Sequence, residues 1–147
     1  MKAIMGFGFF LLFLAGIALV MLQGREMARQ NMPGGGASMT GIEWRPTVLG
    51  ATEISADSGM YVLFGVDGRI KGAAGCNNFS GSLKMQEGEL SVGELGATRK
   101  MCPPDIMQNE TAFIRALQDA RHFEMGHNSL QLLGADKALL AELVRPE

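Results

Sequence analysis

The stretch that decides the fold is residues 60–81, MYVLFGVDGRIKGAAGCNNFSG. Its first part, Met60 to Val66, is rich in β-branched and aromatic residues, and Asp67-Gly68 separates it from a second extended run, Arg69 to Ala74. Asp-Gly is the pair that two-residue type I′ turns prefer, because both turn positions need a positive φ. The pattern therefore predicts a β-hairpin with a two-residue turn.

The hairpin leads into a corner rich in glycine and asparagine, from Gly75 to Gly81. Gly and Asn tolerate left-handed backbone, and an Asn side chain can hydrogen-bond within its own turn. We interpret this segment as a structural corner, and a ligand-binding loop is the alternative.

Further extended segments lie on both sides of this stretch. Short turns that contain Gly, Asn or Asp separate most of them, and turns that short join antiparallel neighbours. The predicted strands are Ile42 to Leu49, which contains the only Trp, then Phe79 to Met85, Glu89 to Val92, His122 to Met125, Ser129 to Leu133 and Ala138 to Val144.

One segment, Pro104 to Ala120, has a helical period. Ile106, Phe113 and Leu117 fall on a single apolar stripe. The layout of strands, one helix and strands predicts an α+β domain in which the helix covers a curved antiparallel sheet.

The N-terminus contains a long apolar run. Ile4 to Leu22 is 19 residues without a charge, and as a helix it would extend roughly 28 Å, close to the ~30 Å hydrocarbon thickness of a bilayer. The run is longer than the core of a secretory signal peptide and lacks a good cleavage site. We expect an uncleaved signal anchor over residues 1–24, and the alternative is a cleaved leader that releases a secreted form.

A Gly-rich segment follows the anchor. Residues 25–41 include QNMPGGGASMTG, which has no periodicity and is typical of a flexible tether. The remaining domain is residues 42–147. No cysteine closely follows the apolar run, so the chain lacks a lipoprotein attachment site.

The charge balance excludes one class of partner. The 147 residues carry 13 Lys and Arg against 15 Asp and Glu, a formal net charge of −2. Binding to a phosphate backbone needs a basic footprint, so we expect no nucleic-acid partner. The part after the apolar run is more acidic than the whole, which also argues against docking of the domain on anionic lipid.

The chain has two cysteines, Cys76 and Cys102, 26 positions apart. In a small exported domain, a disulfide is the expected use of exactly two cysteines. Free buried thiols are one alternative. A metal site is another, because Met101 and Met107 flank Cys102, and soft thiolate and thioether ligands suit Cu(I). We predict no metal and no cofactor.

Glu110 lies on the apolar stripe of the helix, where an unpaired carboxylate would be costly. We predict a structural carboxylate that pairs with a cation or accepts backbone N–H groups, and Arg99 is the expected partner. The alternative is a general acid or base. A catalytic role would require Glu110, Asn77 and His122 to converge in one cleft, and we predict no enzyme and no catalytic residue. His122 and His127 have poor spacing for a zinc pair.

Several short motifs occur in the order of a known family. They are Trp44, Asp67-Gly68-Arg69, Gly72, Gly75-Cys76-Asn77, Phe79, Gly81, Thr98-Arg99, Cys102-Pro103, Glu110, Phe113, Leu117, Leu130 and Leu132. With these motifs the sequence resembles the META domain family, which includes the heat-inducible, HslJ-like proteins of bacterial envelopes. The resemblance implies a strongly curved, half-open barrel around one helix, an envelope or secreted location, and no established catalytic activity. Many members carry a lipid-modified cysteine, which this chain replaces with an apolar span.

These observations lead to one expected function and one alternative. We expect a non-catalytic module anchored in the bacterial inner membrane, with its C-terminal domain in the periplasm, that binds an envelope protein or contributes to stress tolerance. The alternative is a carrier or sensor of a lipophilic small molecule in a cavity between sheet and helix.

Overall fold

The computed structural model describes residues 38–146. The described part contains ten strands, one α-helix and one 3₁₀ turn. The strands are β1 (Glu43–Leu49), β2 (Thr52–Glu53), β3 (Met60–Phe64), β4 (Arg69–Ala74), β5 (Asn78–Gln86), β6 (Glu89–Val92), β7 (Gly96–Ala97), β8 (His122–Met125), β9 (Ser129–Leu133) and β10 (Leu139–Val144), the helix α1 is Pro104–Asp119, and the 3₁₀ turn is Ala56–Ser58.

Eight of these strands form a closed antiparallel barrel. Neighbours follow the order β1, β3, β4, β5, β6, β8, β9, β10, and β10 pairs back onto β1, from Arg45 opposite Val144 to Leu49 opposite Ala141. The expectation of a half-open barrel was therefore wrong. The closing pair joins residues almost 100 positions apart, and such a pairing leaves no local signal in the sequence. The short strands β2 and β7 lie outside the ring, on β1 and β5.

The helix lies across one end of the barrel. It contacts β1, β10, β4 and β6, which are spread around the ring. Phe113 and Leu117 are fully buried, and the Phe113 ring meets Phe79 edge to face, with the ring centroids 5.9 Å apart. Ile106 was placed on the same stripe but is 38% exposed. The buried stripe thus begins at Glu110, one turn later than the apolar pattern indicates.

The β3–β4 hairpin forms as predicted, with a different turn. Gly65 N donates to Arg69 O at 2.7 Å and closes a three-residue loop of Val66, Asp67 and Gly68. Of these three, Gly68 alone has a positive φ, 73°. Asp67 Oδ1 instead accepts from Arg69 N at 3.2 Å. The prediction of a two-residue type I′ turn was therefore wrong, because the loop has three residues and only Gly68, not Asp67, is left-handed.

One close approach explains a glycine in β4. Gly72 lies opposite Phe79 on β5, and a Cβ added to Gly72 would collide with the Tyr61 carbonyl oxygen and the Phe79 ring. The missing side chain lets the Phe79 ring cover the sheet at this point. The same Phe79 ring also contacts Phe113 of the helix.

The N-terminal predictions fall mostly on residues that the structure does not describe. The expected anchor, residues 1–24, and residues 25–37 of the expected tether lie outside the described part. Residues 38–41 lie against the barrel, where Gly41 N donates to Phe64 O at 2.9 Å and Met39 is buried. Between residues 38 and 146, no helix combines the length and the hydropathy that a membrane span requires.

Candidate functional site at the corner before the helix

The corner between β4 and β5 is built on one left-handed residue. Gly75 has a φ of 101°, a conformation that glycine adopts without penalty. Ala74 N donates to Asn77 O at 2.8 Å, which closes the reversal. Asn77 is consequently 2% exposed, one of two buried polar residues in the described part.

Asn77 binds the carboxylate of Glu110 with two hydrogen bonds. The backbone N–H of Asn77 donates to Oε2 at 2.7 Å, and Nδ2 donates to Oε1 at 2.8 Å. Glu110 lies on the buried face of α1 and is 7% exposed. Both carboxylate oxygens are therefore engaged by a single residue of the corner, and hydrogen bonds to an ionised group are stronger than neutral ones.

The other polar atoms of Asn77 bind the segment that precedes the helix. Oδ1 accepts from Thr98 Oγ1 at 2.8 Å and from Lys100 N at 2.7 Å, and Nδ2 also donates to Lys100 O at 3.2 Å. An Asn side chain offers two donors and one oxygen with two lone pairs, and all four are used here. We call Asn77, Thr98, Lys100 and Glu110 the corner network.

A disulfide lies beside the corner network. Cys76 is bonded to Cys102, with 6.2 Å between the Cα atoms. The predicted disulfide is confirmed, and this bond leaves neither cysteine as a free thiol. The bond ties the corner to the residue two positions before the helix. No group of three or more metal-binding side chains occurs among the described residues.

The predicted partner of Glu110 was wrong. Arg99 is exposed, and the ion pair within residues 38–146 is Arg45 with Glu43; a longer contact joins His122 Nδ1 to Glu89 Oε1 at 4.0 Å. The other form of this prediction was a carboxylate that accepts backbone N–H groups. The backbone N–H of Asn77 is such a donor. Arg99 sits between Thr98 and Lys100, so the sequence pointed to the right segment and the wrong side chain.

The three residues that an active site would need do not all meet. Asn77 and Glu110 are in contact, but His122 lies at the start of β8, with Nδ1 4.0 Å from Glu89 Oε1. His122 lines a separate depression of about 300 Å³ with Lys84, Ser91 and Glu89, whereas Glu110 borders one of about 410 Å³ on the outer side of α1.

Sequence reasoning missed one member of the corner network, Lys100. Lys100 contributes through its backbone, and backbone groups leave no signal in side-chain patterns.

The other residues singled out in the sequence pack into the barrel. Trp44 is buried, and its Nε1 donates to Met39 O at 2.9 Å. Gly81 lies under the β6–β7 connection, where an added Cβ would come within 2.9 Å of the Glu94 carbonyl oxygen. These positions serve close packing of the strands.

The space between sheet and helix is occupied by side chains. Phe79, Phe113 and Leu117 fill it, with no more than 3% of any of them exposed. The two depressions given above and a third of about 310 Å³ beside the β3–β4 loop are open to solvent, and exposed or half-buried residues make up most of their lining. No observation on the described residues therefore favours a lipophilic carrier with a cavity in that place.

Comparisons with known proteins agree with this geometry. No curated protein matches the chain. Two proteins solved by NMR are similar to it. One is 25% identical over 72% of this chain and 91% of its own, with a TM-score of 0.57. The other, from Burkholderia xenovorans, is 27% identical over 74% of this chain and 83% of its own, with a TM-score of 0.54. A model of the META domain matches residues 37–147, and the chain belongs to the META domain family.

Proposed function

We propose that this protein is a non-catalytic module of the bacterial envelope that binds a protein partner and contributes to stress tolerance. In this proposal the apolar run holds the chain in the inner membrane, and the barrel lies in the periplasm. The corner network carries the proposal, because it assigns a structural task to the one buried carboxylate of the described residues.

The corner network supports a structural role through its hydrogen bonds. A general base must have the substrate's proton within hydrogen-bond reach. Glu110 is 7% exposed, and each of its oxygens accepts a hydrogen bond from Asn77, at 2.7 and 2.8 Å. These bonds connect α1 to the corner beside the disulfide, so the geometry favours a role in holding α1 across the barrel.

The disulfide supports the proposed compartment. Disulfides persist in oxidising surroundings such as the periplasm and are rare in the reducing cytosol. The sequence places both cysteines after the apolar run, Ile4 to Leu22, which is long enough to span a bilayer. A tether would raise the concentration of the domain near partners at the same membrane.

Thiol labelling of whole cells tests the compartment. A membrane-impermeant maleimide should leave the chain unlabelled without reductant and should label two thiols after reduction. The Cys76→Ser/Cys102→Ser variant is the matched control and should stay unlabelled in both conditions. Labelling that appears only after the cells are lysed would overturn the proposed location.

Photo-crosslinking in cells tests the partner. Met101 is 96% exposed and lies next to the disulfide, so a photoreactive residue there samples the surface beside the corner network. We expect one envelope protein to be recovered repeatedly, and more of it after heat stress. A photoreactive residue at Lys137, in the β9–β10 turn, is the control for abundance. Identical recovery from both positions would argue against a specific partner.

A further inference from the structure

The surface charges of the barrel are segregated by strand. Strands β3, β4 and β5 contain three basic residues, Arg69, Lys71 and Lys84, and no Asp or Glu. Strands β8, β9 and β10 contain Glu124 and Glu142 and no Lys or Arg. Although the chain is acidic overall, one side of the barrel is basic. We call this side the basic face and define it by Arg69, Lys71 and Lys84.

The three bases of the basic face act on the same patch of solvent. All three are exposed and alternate with the buried residues Ile70 and Leu83. Arg69 lies opposite Ser82, and Lys71 lies opposite Ser80, so these bases and Lys84 stand on neighbouring strands. Strands about 4.8 Å apart with a rise of about 3.4 Å per residue keep the three bases within roughly 15 Å. This separation is well within the ~30 Å Debye length at about 0.01 M salt and exceeds the ~10 Å length at about 0.1 M, so the three charges act together at low salt.

The three bases of the basic face form no ion pair within residues 38–146. Glu43 Oε1 is 2.9 Å from Arg45 Nη2, and Asp67 Oδ1 accepts from the backbone of Arg69. Asp67 lines the same depression as Arg69 and Lys71, so the net charge of Asp67 and the three bases is positive. The side chains of the three bases are therefore open to an outside anion.

An exposed apolar residue stands at the rim of the basic face. Val66, in the β3–β4 loop, is 87% exposed. Val66, Arg69, Lys71 and Gly41 line the same depression of about 310 Å³. A protruding apolar side chain beside bases is the combination that binds the interface of an anionic membrane, because the apolar group enters the headgroup region while the bases meet the phosphates.

The point where the chain enters the barrel indicates what the basic face would bind. Gly41 donates to Phe64 at the end of β3, beside the loop that carries Val66. Residues 23–37, 15 positions, separate the apolar run from the first described residue, Ser38, and a coil of that length would reach about 20 Å. An anchor in residues 4–22 would therefore keep the domain within reach of the bilayer, with the chain entering the barrel beside the basic face.

From this placement we propose that the basic face and Val66 dock the domain on the anionic lipid headgroups of its own membrane. The inference rests on the proposed membrane anchor. It replaces the conclusion drawn from net charge, because β3, β4 and β5 contain no acid and the acids of the described part lie on other strands, in loops and in the helix. A docked domain would present β8–β10 and the disulfide away from the lipid surface, where a protein partner can reach them.

Lipid quenching of an introduced indole tests the docking. The full chain with Val66→Trp is reconstituted in vesicles of brominated phosphatidylcholine, with or without phosphatidylglycerol, and the unchanged chain supplies the background from the buried Trp44. We expect strong quenching with phosphatidylglycerol at low salt and little quenching without it. Adding Arg69→Gln and Lys71→Gln should lower the ratio of docked to undocked domain about 30-fold, from about 1 kcal/mol for each base near an anionic surface.

A matched pair of substitutions controls for net charge. Arg99→Gln with Arg115→Gln removes the same two charges from exposed positions outside the basic face and should leave the quenching unchanged. Equal quenching in the two vesicle types, or an equal loss in the control pair, would overturn the proposal. Loss of self-association in the Arg69→Gln/Lys71→Gln variant without any effect of lipid would also overturn it, and would assign the face to the acidic strands of a second copy.

Hydrogen exchange of the unmodified chain gives a second reading that needs no substitution. Amides of the β3–β4 loop should exchange more slowly in vesicles that contain phosphatidylglycerol, and amides of β9 should not change. No difference in the loop would contradict the docking. Thiol labelling in cells tests the compartment independently, so the two proposals fail separately.

Discussion

The corner network and the β6–β8 junction both join parts of the barrel that are distant in sequence, and they do so with very different strength. At the corner, a disulfide and a buried carboxylate bind the β4–β5 turn to the helix and to the segment before it. At the β6–β8 junction, Glu89 opposite His122 is the single registered pair, and the backbone bonds from Leu90 N to Arg121 O and from Phe123 N to Gly88 O flank it. Glu89 Oε1 lies 4.0 Å from His122 Nδ1. From this comparison we expect the β6–β8 junction to contribute less to stability than the corner.

The largest effect should follow Asn77→Ala. The substitution removes four side-chain hydrogen bonds and leaves the buried Glu110 carboxylate with one donor, so unfolding should become easier by about 4 kcal/mol. Urea denaturation measures the change. Asn78→Ala is the control. Asn78 is exposed and keeps its backbone hydrogen bonds in the variant, so the cost should be less than about 0.5 kcal/mol. Equal losses for the two variants would mean that the corner network is not where stability is concentrated.

Loss of the disulfide should come next. Cys76→Ser/Cys102→Ser opens a loop of 26 positions, which corresponds to about 3.5 kcal/mol in the loop-entropy description. Thermal unfolding of the variant should match that of the reduced parent chain. If the reduced parent stays as stable as the oxidised form, the corner depends on hydrogen bonds alone.

Glu110→Gln should have an intermediate effect. The amide keeps one acceptor but turns an NH₂ group toward a donor of Asn77, so we expect a loss of about 2 kcal/mol. Asp119→Asn, at the exposed last residue of α1, controls for the change of charge. An unchanged unfolding midpoint for Glu110→Gln would show that the carboxylate is not needed for the corner network.

The smallest effect should come from the β6–β8 junction. Glu89→Ala should cost less than about 0.5 kcal/mol, because the Glu89 side chain is exposed and its 4.0 Å contact with His122 is at the limit of the range for charged pairs. A double-mutant cycle with His122→Ala measures the coupling directly. A coupling above about 1 kcal/mol would make this junction as important to closure as the corner, and the contrast between the two regions would disappear.

The elements of the fold were accessible from the sequence because each has a local signal. The Asp67-Gly68 pair marks the β3–β4 hairpin, and the period of residues 104–120 marks the helix. Two-residue strands such as β2 and β7 are too short to show a period. The pairing of β1 with β10 depends on how the whole chain folds back, which no local pattern encodes.

The candidate site was predicted in part for the same reason. Glu110 stands out as a charged residue on an apolar stripe, and Asn77 stands out in a corner of glycine and asparagine. Their contact joins positions 33 apart, and opposite charge pointed to Arg99 instead. An amide and a backbone N–H outcompete the cation because the β4–β5 turn buries Asn77 directly against the helix, while Arg99 stays in solvent.

The pairing of β1 with β10 determines when the barrel can close during synthesis of the chain. In the closed barrel, β1 finds its neighbour on one side only after Leu139–Val144 has been synthesised. Contacts between such distant segments slow the search for the native state. A chain that lacks Leu139–Val144 would keep two unpaired strand edges, on β1 and β9, and unpaired edges promote aggregation.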